Sequence, residues 1–511
     1  MKRNLTLILA FFTLSLQAQT VTWKNVLRGE NQFNPSMNSS AITADNNGYW
    51  ASHLSKFRLS YGQVYLGNQD IVHLDFHGEM DDTIKVFGNA NVKMLHQYND
   101  RLYMWIGFFD SVRLDTIHYN RPNNYSTFLC YRDANGIKSL GLLGDTVSIV
   151  NILPDGNIIQ ASTGGFGGNC TLESYAPDGS NKKSKILKSL GYAQAITPAK
   201  DGGIFITGGC MGSNIQIDSI QENNTFSYTN YVLYLDAKWE GKWMKYIEDV
   251  TCLPSAAGGT SNSAYWTGTT HIKPVFGGLT YTGGPSTSFT DFFTAKISNK
   301  QYNWVREIPE DTTIARINFG ETHSTGVDEK GNFYALGSVS GNPIHWNSQL
   351  VTGRYKNNGN IILASWDPSG KIRWIKDIGG TGYEMGLELH VKGEDNLFFS
   401  AVVTDTFDID GDTVNADYGD ILVVKMGEEN NTSTNKIAQK TVIKYYPNPG
   451  NGTVLHNAKV VTEYYITDIA GRKVQTGKMK PGVALDLISL PNGMYFISTE
   501  NNTTIYLKSK E

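Results

Sequence analysis

Acidic residues alternate with other residues at Asp408-Ile409-Asp410-Gly411-Asp412. Hard oxygen ligands in such an alternation open many calcium-binding loops. The Glu that would complete the loop at its twelfth position is absent, because residue 419 is Gly. Phe407 and Val414 flank the segment as the apolar residues of a hairpin would, and Asp-Gly is a favoured two-residue turn. The pattern therefore favours a hairpin turn over a calcium site.

A second group of possible ligands is His73, Asp75 and His77, which alternate along one predicted strand. Side chains two residues apart face the same side of a strand, so the three could offer nitrogen and oxygen ligands to zinc. A structural zinc site needs a fourth ligand, and none can be named. We therefore interpret this segment as a solvated strand face and predict no metal.

The sequence patterns of common catalytic and cofactor sites do not occur in a convincing context. Neither a Gly-x-Ser-x-Gly nucleophile turn nor a His-Glu-x-x-His zinc motif is found. The glycine-rich stretch 164–168 precedes no helical pattern, so it is interpreted as a turn and not as a nucleotide site. The sequence predicts no cofactor and names no catalytic residue.

The elements that would position any functional residue repeat along the chain. Strands that begin with Trp occur at Trp23, Trp243, Trp304 and Trp374. Hairpins with a polar, glycine-containing or acidic turn occur at Ile42–Trp50, Gln97–Tyr103, Ile152–Ile159, Ile196–Ile206, Ser261–Trp266, Val327–Ala335 and Val391–Phe398. Alternating strands, often after an acid, occur at Asp70–Leu74, Phe128–Tyr131, Tyr231–Leu235, Asp291–Ile297, Ile361–Trp366 and Asp420–Met426. Each repeat therefore supplies about four strands.

Four antiparallel strands that recur about every 50 to 70 residues, with little helix between them, are typical of a β-propeller. Two tandem β-sandwiches are the alternative, but they do not predict a repeated three-element unit. The seven hairpins predict seven blades. The last repeat ends at Met426 without a Trp strand, whereas the chain begins with an unpaired one at Trp23, so the N-terminal strand should close the ring. Residues 20–428 resemble the seven-bladed propeller repeats of secreted bacterial proteins, a likeness that implies a fold and no single activity.

The N-terminus has the three parts of a secretory signal peptide. Lys2 and Arg3 precede an apolar run from Leu5 to Leu16, and Ala18 supplies a small residue at a plausible cleavage point. The alternative is a buried N-terminal strand. The run is shorter than the roughly 20 residues that cross a bilayer, and no later segment is apolar for that long, so we predict no transmembrane segment. Residues 1–18 are assigned to the signal peptide and 19–428 to the propeller.

Cysteines in an exported chain are free to form disulfides. Of the four, Cys170 and Cys210 follow comparable glycines in neighbouring repeats, and we predict that they pair. Cys130 lies inside a predicted strand and is expected to be a buried thiol. The connectivity of Cys252 stays open.

A polar segment at residues 429–443 is typical of a linker, and residues 444–511 form a separate β domain. Strands are predicted at 444–446, 460–468, 472–476, 483–487, 493–499 and 504–508, which fit an immunoglobulin-like sandwich. The fold class is thus all-β throughout. The segment carries three motifs in order, and their characteristic residues are Tyr446, Pro447, Asn448, Pro449 and Gly452, then Asp468 and Gly471, then Gly493 and Tyr495.

These three motifs closely resemble the type A C-terminal sorting domain of type IX secretion substrates. The alternative is an ordinary terminal β domain whose prolines only set turns. The resemblance implies passage through the type IX machinery and removal of the tail by a sortase-like peptidase. The product would be secreted or anchored on the outer surface of the outer membrane, on lipopolysaccharide. Triplets of Asp, then Ser or Thr, then an apolar residue resemble the O-glycosylation sites of bacteria with this export route. Such triplets are also favoured in turns, which is the alternative explanation. They begin at Asp82, Asp110, Asp115, Asp145, Asp218 and Asp412.

Charge and composition limit the remaining functions. The 44 basic and 48 acidic residues give a net charge of -4, so nucleic acid is not expected as a partner. Our leading hypothesis is a non-catalytic module that binds a protein or glycan at one mouth of the central channel. The alternatives are a glycan hydrolase or lyase, for which a pair of carboxylates or a His with an acid should converge at that mouth, and a purely structural surface element.

Overall fold

The computed structural model describes residues 20–29, 39–61, 64–144, 147–165, 167–180, 183–210, 215–222, 229–246, 255–260, 263–270, 291–306, 315–319, 323–341, 344–345, 351–352, 359–417, 419–427, 445–446, 451–456, 462–469, 471–480, 483–499 and 503–509. All regular elements assigned in these ranges are β-strands. No helix in them is long and apolar enough to span a bilayer. The chain divides into two compact units, residues 1–428 and 429–511. The predicted signal peptide and linker lie outside the described ranges.

The first unit is built from antiparallel sheets. Strand β1 covers Val21–Leu27. One seven-stranded sheet runs in the order β2 (Ile42–Ala44), β3 (Gly48–Tyr61), β4 (Val64–Asp75), β5 (Met80–Tyr98), β6 (Arg101–Leu114), β7 (Ile117–Asp133) and β8 (Gly136–Leu143). A four-stranded sheet follows with β9 (Val147–Ile152), β10 (Ile158–Thr163), β11 (Cys170–Tyr175) and β12 (Lys183–Leu187). The next has β13 (Tyr192–Pro198), β14 (Ile204–Cys210), β17 (Thr229–Leu235) and β18 (Gly241–Tyr246), with a hairpin β15 (Ile215–Ile217) and β16 (Ile220–Glu222) inserted.

The remaining sheets of this unit repeat the plan. One contains β19 (Ser255–Thr260), β20 (Ser263–Thr270), β21 (Asp291–Ser298) and β22 (Gln301–Arg306). Another contains β23 (Ala315–Phe319) and β24 (Thr325–Val327), which both pair with β25 (Phe333–Gly341), then β28 (Asn360–Trp366) and β29 (Ile372–Gly380), with a hairpin β26 (Ile344–His345) and β27 (Val351–Thr352) inserted. The last contains β30 (Met385–Gly393), β31 (Asn396–Val403) and β34 (Asp420–Met426). The hairpin β32 (Thr406–Ile409) and β33 (Asp412–Asn415) lies between β31 and β34 in the chain but pairs through β32 with β29 of the preceding sheet.

The seven strands β2, β5, β9, β13, β19, β24 and β30 are called the inner strands. Within the described residues each contacts the next in this order, and β30 contacts β2, so the row of sheets returns to its start. Each of the seven predicted hairpins is confirmed as an antiparallel pair that begins with an inner strand. Sheets arranged radially around one ring of strands make a β-propeller.

The N-terminal strand closes this ring. Strand β1 pairs antiparallel with β34, and Lys24 lies opposite Val424. Trp23 packs between the first and last sheets, with its ring centroid 5.7 Å from that of Tyr49 and 5.9 Å from that of Phe398. The predicted closure by the Trp23 strand is therefore present.

Several strands in the middle of a sheet are buried on both faces. All seven residues of β17 and all seven of β34 are buried, although alternation between core and solvent was predicted for them. The reason is that each sheet packs against a neighbour on either side, as the hydrophobic clusters shared by adjacent sheets show. A strand with two covered faces has a nearly continuous apolar sequence.

The second unit has two antiparallel sheets. One contains β35 (Tyr445–Tyr446), β36 (Thr453–His456) and β39 (Leu485–Asp486), and the other contains β38 (Lys473–Met479), β37 (Thr462–Asp468), β40 (Gly493–Thr499) and β41 (Thr503–Lys508). One apolar cluster, which includes Val454, Ile466 and Tyr506, is formed by residues of both sheets. Sequence reasoning missed β36, because the preceding Asn-Gly-rich segment suggested a turn only.

Candidate functional site

The acidic segment 408–412 is a hairpin turn. Asp410 and Gly411 connect β32 to β33, and both have positive φ, 56° and 83°, as a type I′ turn requires. The Asp410 carboxylate pairs with Lys376 at 2.5 Å and accepts the Val21 N–H at 2.8 Å. Asp412 pairs with Lys24 at 2.6 Å. These acids therefore hold the closing strand in place, and their carboxylates are engaged by cations of the protein itself.

The segment around His73 also serves structure. His73 is 5% exposed, so the predicted solvated face is wrong at this residue. Its Nδ1 lies 2.5 Å from Asp81 Oδ1, and its Nε2 lies 3.3 Å from Asp45 Oδ2. Asp75 accepts backbone N–H groups of the turn that follows β4, including that of His77 at 2.7 Å. Among the described residues no three His, Cys, Asp or Glu side chains are placed to hold a metal ion.

The predicted Cys170–Cys210 disulfide is not formed in the structure. Both are free thiols, and so is Cys130, which is buried as expected. Burial raises the pKa of Cys170 and of Cys210 to about 12. The two cysteines occupy comparable positions and lie in the same apolar cluster, but no bond joins their sulfur atoms. Cys252 lies outside the described residues.

The Asp-Ser/Thr triplets occupy different settings. Asp115 and Asp218 have φ of 51° and 53° and form tight hairpin turns with the residue that follows. Asp82 and Asp110 instead lie within strands β5 and β6, and Asp412 begins β33. The interpretation as turns therefore fits two of the five described triplets; Asp145 lies outside the described residues.

A cavity of about 210 Å³ lies among the inner strands. Three half-buried imidazoles line it, those of His96 on β5, His390 on β30 and His323, two residues before β24; they are called the channel histidines. Burial lowers the pKa of each to about 4, and in His96 the other two imidazoles lower it further. All three are therefore neutral at pH 7, when an imidazole carries one donor and one acceptor nitrogen.

Other polar side chains in this cavity join neighbouring inner strands. Glu388 Oε2 accepts the Ile42 N–H at 2.8 Å, Thr43 Oγ1 accepts the Gln97 N–H at 3.2 Å, and Asn151 Nδ2 donates to the Ile196 carbonyl at 2.7 Å. Within the described residues consecutive inner strands share no backbone ladder, and these side chains supply hydrogen bonds between them. Much of the polar lining is thus committed to the ring.

His323 is the strained member of the cavity. Its φ is 66°, a left-handed conformation that is uncommon outside glycine, and its Nε2 is buried without a hydrogen-bond partner. Its carbonyl accepts the Leu389 N–H at 2.8 Å, which fixes the segment against β30. Sequence reasoning missed the channel histidines because they are 67 or more positions apart; the available signal was that His96 and His390 both stand shortly before a hairpin turn.

A larger groove of about 390 Å³ lies where the turns after β2, β5 and β7 meet. Gln97 lines both this groove and the cavity, so the two adjoin. The other groove residues are Asp45, Asn46, Asn47, Trp50, Asn99, Asp100, Leu102, Arg132, Asp133 and Ala134. The hairpin repeat places these side chains because the turns after β2, β5 and β7 of the seven-stranded sheet lie side by side.

The described residues of the tail motifs have structural contacts. Gly452 has φ of 106°, and a Cβ there would meet Ile488 at 3.0 Å. Asp468 accepts the Arg472 backbone N–H at 3.0 Å in a turn with Gly471, whose φ is 77°. Tyr495 donates its hydroxyl to the Pro491 carbonyl at 2.7 Å, and Gly493 begins β40. Only the backbone of Tyr446 is described, and Pro447, Asn448 and Pro449 lie outside the described residues.

Comparisons with known proteins bear on both units. The β-propeller domain of the Trilobed protease from Pyrococcus furiosus is 8% identical, with a TM-score of 0.37, over 83% of this chain and 99% of that one. The Dos1 propeller is 11% identical, with a TM-score of 0.39, over 78% of this chain and 95% of that one. No protein of curated function matches the sequence. Residues 444–510 match the family described as secretion system C-terminal sorting domain. The tail of the chain is therefore similar to a secretion system C-terminal sorting domain, and the first unit has the ring of sheets described above.

Proposed function

We propose that the protein is exported by the type IX route as a secreted or surface-attached propeller. Residues 1–18 direct it through the inner membrane, and residues 444–511, after a linker at 429–443, direct it through the outer membrane. A sortase-like peptidase then removes the tail, and the product is released or fixed to lipopolysaccharide. The sorting-domain match at 444–510 supports this proposal. Intact-mass measurement of the mature protein tests it, with an N-terminus near residue 19 and loss of the tail as the expected result.

The proposed architecture is a seven-bladed propeller at residues 19–428 followed by an immunoglobulin-like sandwich. The unbroken contacts among the seven inner strands support the blade number. The two-sheet arrangement of the tail around one apolar cluster supports the sandwich. This architecture matters for function because the turns of a closed ring converge around its channel mouth.

We further propose that the propeller is a non-catalytic binding module and that its ligand occupies the groove at the channel mouth. The observation that carries this proposal is the concave groove of about 390 Å³ that adjoins the channel cavity at Gln97. Its volume lies in the range of small-ligand sites, and its lining is formed by turn residues on a rigid scaffold. Exposed side chains such as Asn46 and Asp100 form no hydrogen bond or ion pair within the described protein.

The alternative, a glycan hydrolase or lyase, needs an acid beside a base or a second acid. Glu388 shares the cavity with the channel histidines, which is the arrangement that would favour an enzyme. However, burial lowers the pKa of each imidazole to about 4, well below the working pH near which a general acid or base is most effective. Glu388 also accepts the Ile42 N–H and so supports the ring. These features favour binding without turnover.

Surface plasmon resonance of the mature protein over immobilised outer-membrane fragments tests the binding site. Ala134 is exposed in the groove, so Ala134→Trp should fill it and weaken binding at least tenfold. Glu329→Trp, in the exposed turn after β24, is the matched control and should bind as the wild type does. Equal binding by Ala134→Trp would refute the groove. Release of reducing ends from polysaccharides that is lost in Glu388→Gln would replace the binding proposal with the hydrolase.

A further inference from the structure

The groove at the channel mouth is rich in groups that both donate and accept hydrogen bonds. Four of its eleven lining residues are carboxamides, Asn46, Asn47, Asn99 and Gln97. A carboxamide presents an N–H donor beside a carbonyl acceptor, and this matches a hydroxyl, which also donates and accepts. Three of the four side chains are exposed and the fourth is half-buried. The lining is therefore suited to a ligand with many hydroxyl groups.

The cations at the groove are already neutralised by the protein. Arg132 pairs with Asp82 at 2.7 Å, and its guanidinium lies over the Trp50 ring at 5.6 Å. Lys138 pairs with the groove residue Asp133 at 3.1 Å. Arg132 Nη1 is buried without a hydrogen-bond partner, but Nη2 of the same guanidinium is the atom that pairs with Asp82. The charge of each of these two cations is therefore already matched by a carboxylate of the protein.

The acid at the centre of the lining is also engaged. Asp45 Oδ1 accepts the N–H groups of Asn47 and Gly48 at 2.7 and 2.8 Å, and Oδ2 accepts Trp50 Nε1 at 2.8 Å. Burial alone would raise its pKa, but these bonds and His73 lower it to about 2, so it stays ionised. Asp45 also lies 3.3 Å from His73 Nε2, so the repulsion of an incoming carboxylate or phosphate comes mainly from exposed Asp100.

We infer that the groove selects a neutral glycan over acidic glycans. This inference rests on the proposed function, since it names the ligand class of the same groove. Hydroxyl groups of a neutral sugar satisfy the carboxamides without a counter-charge. An acidic sugar meets the exposed carboxylate of Asp100, while the charge of Arg132 is already matched by Asp82. This repulsion is the negative element that selectivity requires. A flat protein surface fits poorly, because the groove is a concave pocket of small-ligand size.

Isothermal titration of the mature protein with neutral and acidic oligosaccharides tests the ligand class. The neutral probes are cellotetraose, mannotetraose and maltotetraose, and the acidic probes are tetragalacturonate and tetrasialic acid. At least one neutral probe should bind at least tenfold more tightly than either acidic one. Asn46→Ala should weaken the neutral probe about fivefold, the loss of one hydrogen bond. Stronger binding of an acidic probe would overturn the inference.

A charge substitution makes the test reciprocal. Asp100→Lys replaces an exposed carboxylate of the groove with an exposed cation and should strengthen the acidic probes about fivefold, the effect of an exposed ion pair. Glu329→Lys makes the same change of charge at an exposed turn outside the groove and should leave all probes unchanged. Acidic binding that responds equally to both variants would refute the groove as the site of selectivity.

The two proposals fail in different ways. In the first case none of the oligosaccharides binds, but outer-membrane fragments still bind and Ala134→Trp weakens that binding. The proposed ligand class is then wrong, and the proposed binding module stands. If the probes bind and Asn46→Ala and Ala134→Trp both leave them unaffected, a glycan site exists elsewhere and the groove is wrong in both proposals.

Discussion

Glu384 is a buried acid in the seventh predicted repeat, and its protonation should control the stability of the propeller. The residue is 0% exposed. Its Oε2 accepts the Gly380 N–H at 3.2 Å, whereas its Oε1 has no hydrogen-bond partner. Burial raises its pKa from 4.5 to about 8, the Gly380 hydrogen bond opposes the shift, and the carboxylates of Asp405 and Asp377 add to it. The carboxyl is therefore mostly protonated in the folded protein at pH 7.

The sign of the effect follows from where the proton binds more tightly. The folded pKa lies above the unfolded one, so this group favours folding fully below pH 4.5, and the contribution is lost as the pH rises through 8. A difference of about 3.5 pKa units at 1.36 kcal/mol each corresponds to about 5 kcal/mol. Domains are stable by roughly 5 to 15 kcal/mol, so the loss is a large fraction of the total.

The perturbation is Glu384→Gln, which keeps the shape of the side chain and cannot ionise. Urea unfolding should be measured at several pH values between 4.5 and 9. Tryptophan fluorescence reports on the propeller alone, because all ten Trp residues precede residue 428. The variant and the wild type should be similarly stable at pH 4.5, and the variant should be more stable by about 5 kcal/mol above pH 8.

The control is Glu329→Gln, which removes a carboxyl from an exposed turn and should follow the wild-type pH profile. Other groups that titrate in this range are common to all three proteins, so they cancel in the difference between variant and wild type. If the profiles of Glu384→Gln and wild type run parallel, the carboxyl is ionised in the folded state and the reasoning from burial fails.

Three further measurements address the closure, the thiols and the channel. Trp23→Ala should destabilise the propeller by about 3 kcal/mol in urea unfolding, because a large side chain of the closing strand is removed. Asp412→Asn should cost under about 1 kcal/mol, because that carboxylate is 73% exposed. Equal losses in the two variants would contradict the packing of the closure. The three described cysteines should not react with Ellman's reagent in the folded protein, and all three should react in guanidinium without reductant. Fewer reactive thiols in guanidinium would support the predicted Cys170–Cys210 disulfide. Because the pKa of each channel histidine is lowered to about 4, stability should fall as the pH decreases from 6.5 to 4, and Gln at all three positions should reduce that loss in acid unfolding.

Local patterns in the sequence predicted the repeating parts of the fold. The hairpins formed where apolar strands flank polar turns, because turn chemistry and the two-residue period of a strand act over a few neighbouring residues. The same reasoning identified the Asp410–Gly411 turn and the unpaired Trp23 strand. It predicted alternation in β34 wrongly, because alternation assumes one solvated face and the ring covers both.

The tail motifs were likewise visible in the sequence, since each is a short run of turn residues. The sequence did not reveal that Cys170 and Cys210 are unbonded. Comparable positions in two adjacent repeats bring two residues near each other, but they do not determine the distance between the two sulfur atoms. The environment of His73 was also missed. Its partners are Asp45 in the turn after β2 and Asp81 on β5, and strand alternation says nothing about what covers a face.

The sequence by itself determined that this protein is an all-β repeat chain with a C-terminal sorting domain, because strand period, turn residues and short motifs are local properties. Only the tertiary structure decided which side chains meet at the channel. His96, His323 and His390 come from three different repeats, and the groove combines turns that follow β2, β5 and β7. Closing the ring brings these distant residues together and removes water from them, and both the pairing of charges and the shifted pKa values follow from that closure.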